Sequence, residues 1–451
     1  MSKDCSIIFL MKFKRKPLPP FGAHGVSIKQ SSTGFVPCLP PVPFFYTVEH
    51  AHFSRHIFRR YAGTRGSAMS SIQATRMLTP GPTPIPDRVR LAMAAPLLHH
   101  RKDAFKTVLA ENQTMLKQLF RTESPVIPLA CSGTGGMTAA AFNLFQPGER
   151  VLVATAGYFG NRWVDIVTQR GLDAVVLRKN AGESFNPEEI RAMLDADPSI
   201  RGVFMQISET STGVLHPVKE VAAITRDRQV LLVADGISAV SISPTPMDEW
   251  GIDCLITGSQ KGLMLPPGLA FVALSPRAWR RAEEVRPQCY YFDLVEERAS
   301  CEKNQTHYTS PISLLVGLHE ALTMLLEFGM DNVFKKQWAL TQMARTGIAA
   351  MGMELFVKEE GRYTWGLTSV RMPDNIPATP VVAKAFKDCG VILTAGQGDL
   401  KEKVLRLAHM GWIDWADLAA GLHALAWSLP VKPQGAYLEA ALDAYHNALG
   451  E

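Results

Sequence analysis

Val230-Leu-Leu-Val-Ala-Asp235-Gly236 and Thr257-Gly-Ser-Gln-Lys261-Gly-Leu-Met-Leu-Pro-Pro-Gly268 decide the fold. The first is a continuous apolar run closed by Asp-Gly, the pattern of a strand buried on both faces in a parallel sheet. Its carboxylate falls at the carboxyl end, the edge where open α/β sheets bind ligands. The second follows another apolar run, Cys254 to Thr257, and places one lysine in a loop of small residues. Burial there would lower the pKa of the amine, as a nucleophilic or Schiff-base lysine requires. A lone lysine is far more often a solvated surface residue, and a lone aspartate at a strand end is as often a turn or cap residue. The two gain weight from being 26 residues apart on successive strands.

The same alternation of short apolar runs with amphipathic stretches extends outward from this pair. Strands are expected at Val151 to Ala154, Val203 to Ile207, Val230 to Ala234, Cys254 to Thr257 and Ala270 to Leu274, with helices at Met137 to Leu144 and Val218 to Thr225. Strands alternating with helices imply an α/β fold with crossover helices. A long helical pattern begins near residue 311, through Leu314, Leu315, Leu318 and Leu322, and leads toward a smaller α+β lobe. The expected division is an extension at 1–68, an arm at 69–95, a large domain at 96–334 and a small carboxyl-terminal domain at 335–451.

A third chemical element is Cys131-Ser-Gly-Thr-Gly-Gly-Met137, ahead of the helical Thr138-Ala-Ala-Ala-Phe142. A glycine-rich turn entering a helix offers free N–H groups and the positive end of the helix dipole to a phosphate. Thr138 stands where the third glycine of a dinucleotide fingerprint would be, so a single phosphate fits better. Late in the chain, Lys403-Val-Leu-Arg406-Leu-Ala-His-Met-Gly411 sets a guanidinium inside an apolar, strand-like run. Such a group is costly to bury without an anion, and its fork matches a carboxylate at two points. An internal ion pair to Asp or Glu is the alternative.

Charge and cysteine usage limit the remaining classes. Residues 1–68 hold ten Lys or Arg against Asp4 and Glu49, a net of +8. The total of 47 basic and 42 acidic side chains therefore leaves 37 and 40 from Met69 onward, a net of −3, which does not suit nucleic-acid binding. The amino-terminal segment, with proline clusters at 17–20 and 37–43, has the composition of a disordered stretch. An upstream start codon ahead of Met69, or a targeting peptide, would account for it. Seven cysteines are scattered without C-x-x-C pairs, as in a reducing, cytoplasmic compartment. No apolar run reaches the roughly 20 residues of a membrane helix.

Pro80-Gly81-Pro82, Ser132-Gly-Thr-Gly135, Glu209-Thr-Ser-Thr-Gly-Val-Leu215, Asp235, and Gly258-Ser-Gln-Lys261 followed by Pro266-Pro-Gly268 together resemble the class V aminotransferases. The likeness is to the alanine-glyoxylate, serine-pyruvate and serine-glyoxylate branch, over about residues 75–430. It implies a fold type I transferase dependent on pyridoxal 5'-phosphate, acting as a homodimer on small amino acids and 2-oxo acids. By the same resemblance, Lys261 would carry the cofactor as a Schiff base and move the substrate's α-proton, and Asp235 would pair with the pyridinium nitrogen. Phe159 would stack on the ring, and Thr210 would lie near the phenolic oxygen. Thr134, Gly135, Gly136 and Gln260 match phosphate-binding positions, although the branch often has His where Gly136 stands. Thr309, in His307-Tyr-Thr-Ser310, matches a segment that reaches the neighbouring subunit's phosphate, with Thr306 where close relatives have Tyr. Arg406 would read the substrate carboxylate, with Gly81 beside the substrate. His99, His100 and Arg101 form a polar cluster without metal spacing, and no metal site is expected. A lyase or cysteine desulfurase would share Asp235 and Lys261, but desulfurases usually show His before the lysine, where Gln260 stands. A non-catalytic binding protein built on this fold would have little reason to keep Lys261, Asp235 and Arg406 together. A nicotinamide dehydrogenase is a weaker match still, because the glycine-rich turn lacks the dinucleotide spacing.

Overall fold

The computed structural model describes residues 74–286 and 289–450, so the expectations for residues 1–68 and for a start at Met69 lie outside the described residues. Seven strands build the main sheet: β1 (Val126–Leu129), β2 (Arg150–Thr155), β3 (Asp173–Arg178), β4 (Ile200–Gln206), β5 (Leu231–Asp235), β6 (Cys254–Gly258) and β7 (Ala270–Leu274). Their spatial order is β1-β7-β6-β5-β4-β2-β3. Every neighbouring pair is parallel except those of β7, which runs antiparallel to β1 and β6. Chain order runs one way from β4 to β7 and the other from β2 to β3, so a topological switch point lies between β2 and β4.

The apolar runs are continuous because both faces of the sheet are covered. On β5, Leu232 and Ala234 join one core cluster while Leu231 and Val233 join another. Helices α1 (Asp103–Phe120), α2 (Gly133–Leu144), α3 (Tyr158–Gln169), α4 (Val218–Arg226) and α5 (Ile312–Phe328) supply the covering layers. Met137 and Trp163 pack on one face; Leu116, Val221 and Leu318 pack on the other. The expected strands and helices are all present. Helix α2, however, begins at Gly133 rather than Met137, so the glycine-rich stretch is itself the first helical turn.

Gly329, with φ of +84°, ends α5 and starts α6 (Met330–Ala350), and the two helices meet at 84°. Among the described residues no single helix is long and apolar enough to cross a membrane. The anticipated division between 334 and 335 falls inside α6, which continues unbroken across it. Beyond it, β8 (Glu354–Leu355), β9 (Leu367–Arg371), β10 (Thr394–Ala395) and β11 (Val404–Ala408) form a second sheet in the order β8-β9-β11-β10. Its core of Leu340, Val370, Leu405, Leu407 and Leu422 also takes in Leu78. The arm is tied there by pairing of Arg76–Met77 with Val391–Ile392.

Candidate active site

The loops leaving β1, β2, β4, β5 and β6 converge at the carboxyl edge of the sheet. Lys261 lies three residues past β6 and is 9% exposed. Its Nζ donates to the carbonyl of Pro80. A Cβ at Gly81, where φ is +145°, would stand 2.7 Å from that Nζ and 2.8 Å from Cε, so only glycine lets the arm close over the lysine. Thr83 completes the clamp: its Oγ1 donates to the Lys261 carbonyl at 3.0 Å, and its N–H donates to the Gln260 carbonyl at 3.2 Å. Burial, reinforced by the charge of Arg406, pulls the amine down to about 8, against the opposing pull of Asp235.

Asp235 closes β5 with its carboxylate inside the same pocket, which Ser132, Thr134, Phe159, Thr210 and Gln260 also line. Its Oδ1 accepts from the Ile237 N–H at 2.9 Å. Burial pushes the carboxyl up to about 7; the Ile237 N–H opposes this, and the charge of Glu209 adds to it. Arg406 sits mid-strand on β11 and is 5% exposed. Its Nε donates to the Ala395 carbonyl and its Nη1 to the Thr210 carbonyl, each at 3.1 Å. Among the described residues the guanidinium makes no ion pair, so the internal salt bridge that sequence left open is not formed there. Burial lowers its pKa to about 10, with Glu209 as the opposing charge.

A buried lysine, a strand-end aspartate and a helix amino terminus now stand around one pocket at the edge of a type I sheet. The Aminotransferase class-V family matches residues 89–405. The chain belongs to that family. It is 33% identical over 352 residues to the soluble hydrogenase 42 kDa subunit of Anabaena cylindrica, covering 77% of this chain and 91% of that protein. It is likewise 33% identical over 363 residues to the serine–glyoxylate aminotransferase of Methylorubrum extorquens, covering 78% and 90%. The crystal structure of ureidoglycine-glyoxylate aminotransferase from Bacillus subtilis superposes with a TM-score of 0.79 at 27% identity, over 83% of this chain and 98% of that one.

Class V aminotransferases depend on pyridoxal phosphate, and the pocket of this family member fits that group. The α2 amino terminus, the Thr134 hydroxyl and the Arg162 guanidinium supply donors for a phosphate, with Arg162 Nη1 already donating to Thr134 Oγ1 at 2.8 Å. Gln260 is half-buried with its Oε1 buried and unpaired; turned about its terminal bond, the amide would present its NH2 to a phosphate oxygen. Gly135 and Gly136 are placed differently from Thr134. Their N–H groups donate to the Ser132 carbonyl at 2.8 and 3.4 Å, inside the first turn. A Cβ at Gly136 would lie 2.9 Å from Ile256 Cγ2, and one at Gly135 would lie 2.5 Å from Cys131 Sγ. Gly136 lets the helix seat on the sheet and Gly135 leaves room for Cys131, and neither lines the pocket.

Thr309 is exposed and also lies outside the pocket lining. The His99 and His100 rings stack at 4.8 Å, and Arg101 Nη1 donates to Gln305 Oε1 at 2.8 Å and the Thr306 carbonyl at 3.1 Å. That cluster braces the segment leading to Thr309. Among the described residues no group of His, Cys, Asp and Glu could hold a metal ion. Two site residues carried no clear sequence signal. Arg162 lies one helical turn after Phe159, with its guanidinium 5.1 Å from the centroid of that ring. Glu209 belongs to a quoted motif, but only the fold shows its carboxylate fully buried beside the site.

Proposed function

We propose that this chain is an aminotransferase that moves the amino group of a small amino acid, alanine or serine, to glyoxylate or pyruvate by a ping-pong mechanism through Lys261. The observation that carries the reading is the placement of Arg406: a buried guanidinium that makes no ion pair among the described residues, joined through Thr210 to the pocket that holds Lys261 and Asp235. A substrate carboxylate supplies the missing anion. Glyoxylate is named as acceptor for both of the aminotransferases above, while their named donors differ, which supports a common acceptor with a variable donor.

Pyridoxal phosphate, when bound, supplies the aldehyde that accepts the amino group and a ring that takes up the electron pair of the broken Cα–H bond. Thr134, Arg162, Gln260 and the start of α2 would hold its phosphate, with Phe159 against the ring and Thr210 near its phenolic oxygen. Asp235 keeps a proton on the ring nitrogen; a cation there favours the ionised carboxylate and brings its raised pKa back down. The lowered pKa of Lys261 leaves an appreciable neutral fraction near neutral pH, as a nucleophile and proton carrier requires. Its Nζ would take the proton from the substrate α-carbon and pass it to the cofactor carbon that receives the amino group. Arg406 fixes the carboxylate so that the α-hydrogen faces that amine. Donor and acceptor share one arginine and one lysine, so they bind in turn.

The site is completed in a homodimer, with the exposed Thr309 reaching the partner's phosphate site. The test is a panel of donors assayed against glyoxylate and pyruvate, with product inhibition patterns. Intersecting rather than parallel initial-rate lines would exclude the ping-pong order, and no turnover with any alanine- or serine-containing pair would exclude the donor class.

A further inference from the structure

Helix α3 begins at Tyr158, and its N-cap residue, Gly157, has no side chain to satisfy the first free N–H groups. The cap comes instead from the turn that follows β4. Glu209 Oε2 accepts from the Gly160 N–H at 2.8 Å, and Oε1 accepts from the Phe159 N–H at 3.4 Å. The Ser211 hydroxyl accepts from the Tyr158 N–H at 3.1 Å and donates to Glu209 Oε1 at 2.5 Å, while the Ser211 N–H donates to Oε1 at 3.1 Å. The carboxylate thus serves four donors, and it is fully buried. The close fit also explains the glycine. A Cβ at Gly157 would stand 2.6 Å from both Cγ and Cδ of Glu209 and 2.6 Å from Ser211 Oγ. The φ of Gly157 is 179°, ordinary extended backbone, so the requirement is for space and not for conformation.

The same turn reaches the other half of the site. The Glu209 carbonyl accepts from the N–H groups of Thr212 at 3.1 Å and Gly213 at 2.8 Å, which fixes the position of the intervening Thr210. Arg406 then donates to the Thr210 carbonyl. Glu209 therefore braces Phe159 and ties it to Ser211 through its carboxylate, while its backbone carbonyl holds the turn that presents Thr210 and supports Arg406.

We infer that Glu209 is a positioning residue that locks the ring-stacking and carboxylate-reading halves of the site into one geometry. This rests on the roles proposed above for Phe159 and Arg406. The carboxylate is required as an acceptor at both oxygens. An amide there would turn its NH2 toward N–H donors at one end or the other, so Glu209→Gln, though nearly isosteric, breaks the cap. Gly157→Ala displaces the carboxylate without changing it.

The test uses the cofactor-loaded enzyme and compares Glu209→Gln, Glu209→Asp and Gly157→Ala with Phe159→Leu and Arg406→Lys. The measurements are the circular dichroism of the bound cofactor, which reports ring orientation, and kcat and KM for the amino donor. Glu209→Gln and Gly157→Ala are expected to change the cofactor dichroism and raise donor KM about tenfold together, with Glu209→Asp, which keeps two acceptors, recovering part of both. If Phe159→Leu and Arg406→Lys move these readouts while Glu209→Gln and Gly157→Ala do not, the positioning role is overturned and the functional reading stands. If the Glu209 and Gly157 variants only lower the melting temperature, with dichroism and KM intact, the residue is structural and the inference fails. If none of the five variants moves dichroism or KM, the roles of Phe159 and Arg406 fall, and the inference falls with them.

Discussion

Arg406→Lys separates substrate reading from cofactor binding. In the wild type the guanidinium is anchored by Ala395 and Thr210, whose carbonyls accept from Nε and Nη1 at 3.1 Å each, and the remaining N–H groups are free to form a fork. A lysine keeps the positive charge, so the buried position is not left with an unpaired anion when substrate binds. It loses the planar two-point contact, and its single nitrogen must serve both the carbonyl anchors and the carboxylate. A hydrogen bond to a charged group contributes about 1.5–3 kcal/mol, so the loss of one of the two arms costs about 2 kcal/mol. That corresponds to a fall of about thirtyfold in kcat/KM for every donor. Cofactor affinity should stay within about twofold, because none of the donors placed for the phosphate comes from β11. The assay is steady-state kinetics with alanine and serine against glyoxylate, alongside a cofactor titration of the apoenzyme. An unchanged kcat/KM for all accepted donors would refute the argument, since the carboxylate would then be held elsewhere.

Lys261→Ala should still take up the cofactor noncovalently but lose the half-reaction with alanine or serine by several powers of ten, followed as a single-turnover spectrum; wild-type speed would remove Lys261 from the chemistry. Gly81→Ala places a methyl 2.7 Å from Nζ on a backbone at φ +145°, so kcat should fall about tenfold or more while a Thr83→Ala variant, which loses one clamp bond, loses less. Capture of cofactor by the apoenzyme should accelerate as pH rises and level off above about 8, because the neutral amine is the nucleophile and burial has lowered its pKa from 10.5. Asp235→Asn removes the charge that raises that pKa, so the midpoint should move to lower pH; stopped-flow mixing at several pH values measures both, and a midpoint near 10 in the wild type would contradict the burial argument.

The central strands were legible because burial on both faces leaves a mark in sequence: every residue of β5, β6 and β7 is buried, and apart from Asp235 and Thr257 near the ends of β5 and β6 none has a polar side chain. Two strands left weaker marks. β1 carries Pro128 within Val-Ile-Pro-Leu, which argues against a strand, yet it is the edge strand where a missing N–H is tolerated. β3, at the opposite edge, has only partly buried residues between two exposed ends, so its pattern does not stand out from a surface segment. The start of α2 was also misplaced, because glycine disfavours helix interiors and three of them appear in its first four residues. What selects glycine there is the closeness of the sheet and of the loop after β5, with Ile256 and Ile237 occupying the space of any side chain.

The site divides along the same physical line. Lys261, Asp235 and Arg406 were legible because each is a charged group in an apolar setting, a local contradiction that a ligand would resolve. Arg162 and Glu209 present no such contradiction locally: one sits on an amphipathic helix, the other among Ser and Thr that read as a polar turn. Their roles arise from contacts between segments distant in sequence, Arg162 with Thr134 at a separation of 28 and Glu209 with Gly160 at 49. Gly157 shows the dependence most directly. In sequence it is an ordinary glycine before a helix, and its backbone is in a region any residue adopts. Only the carboxylate lodged 2.6 Å from its absent Cβ makes it irreplaceable, so the requirement for this glycine is set by a residue in the turn after β4.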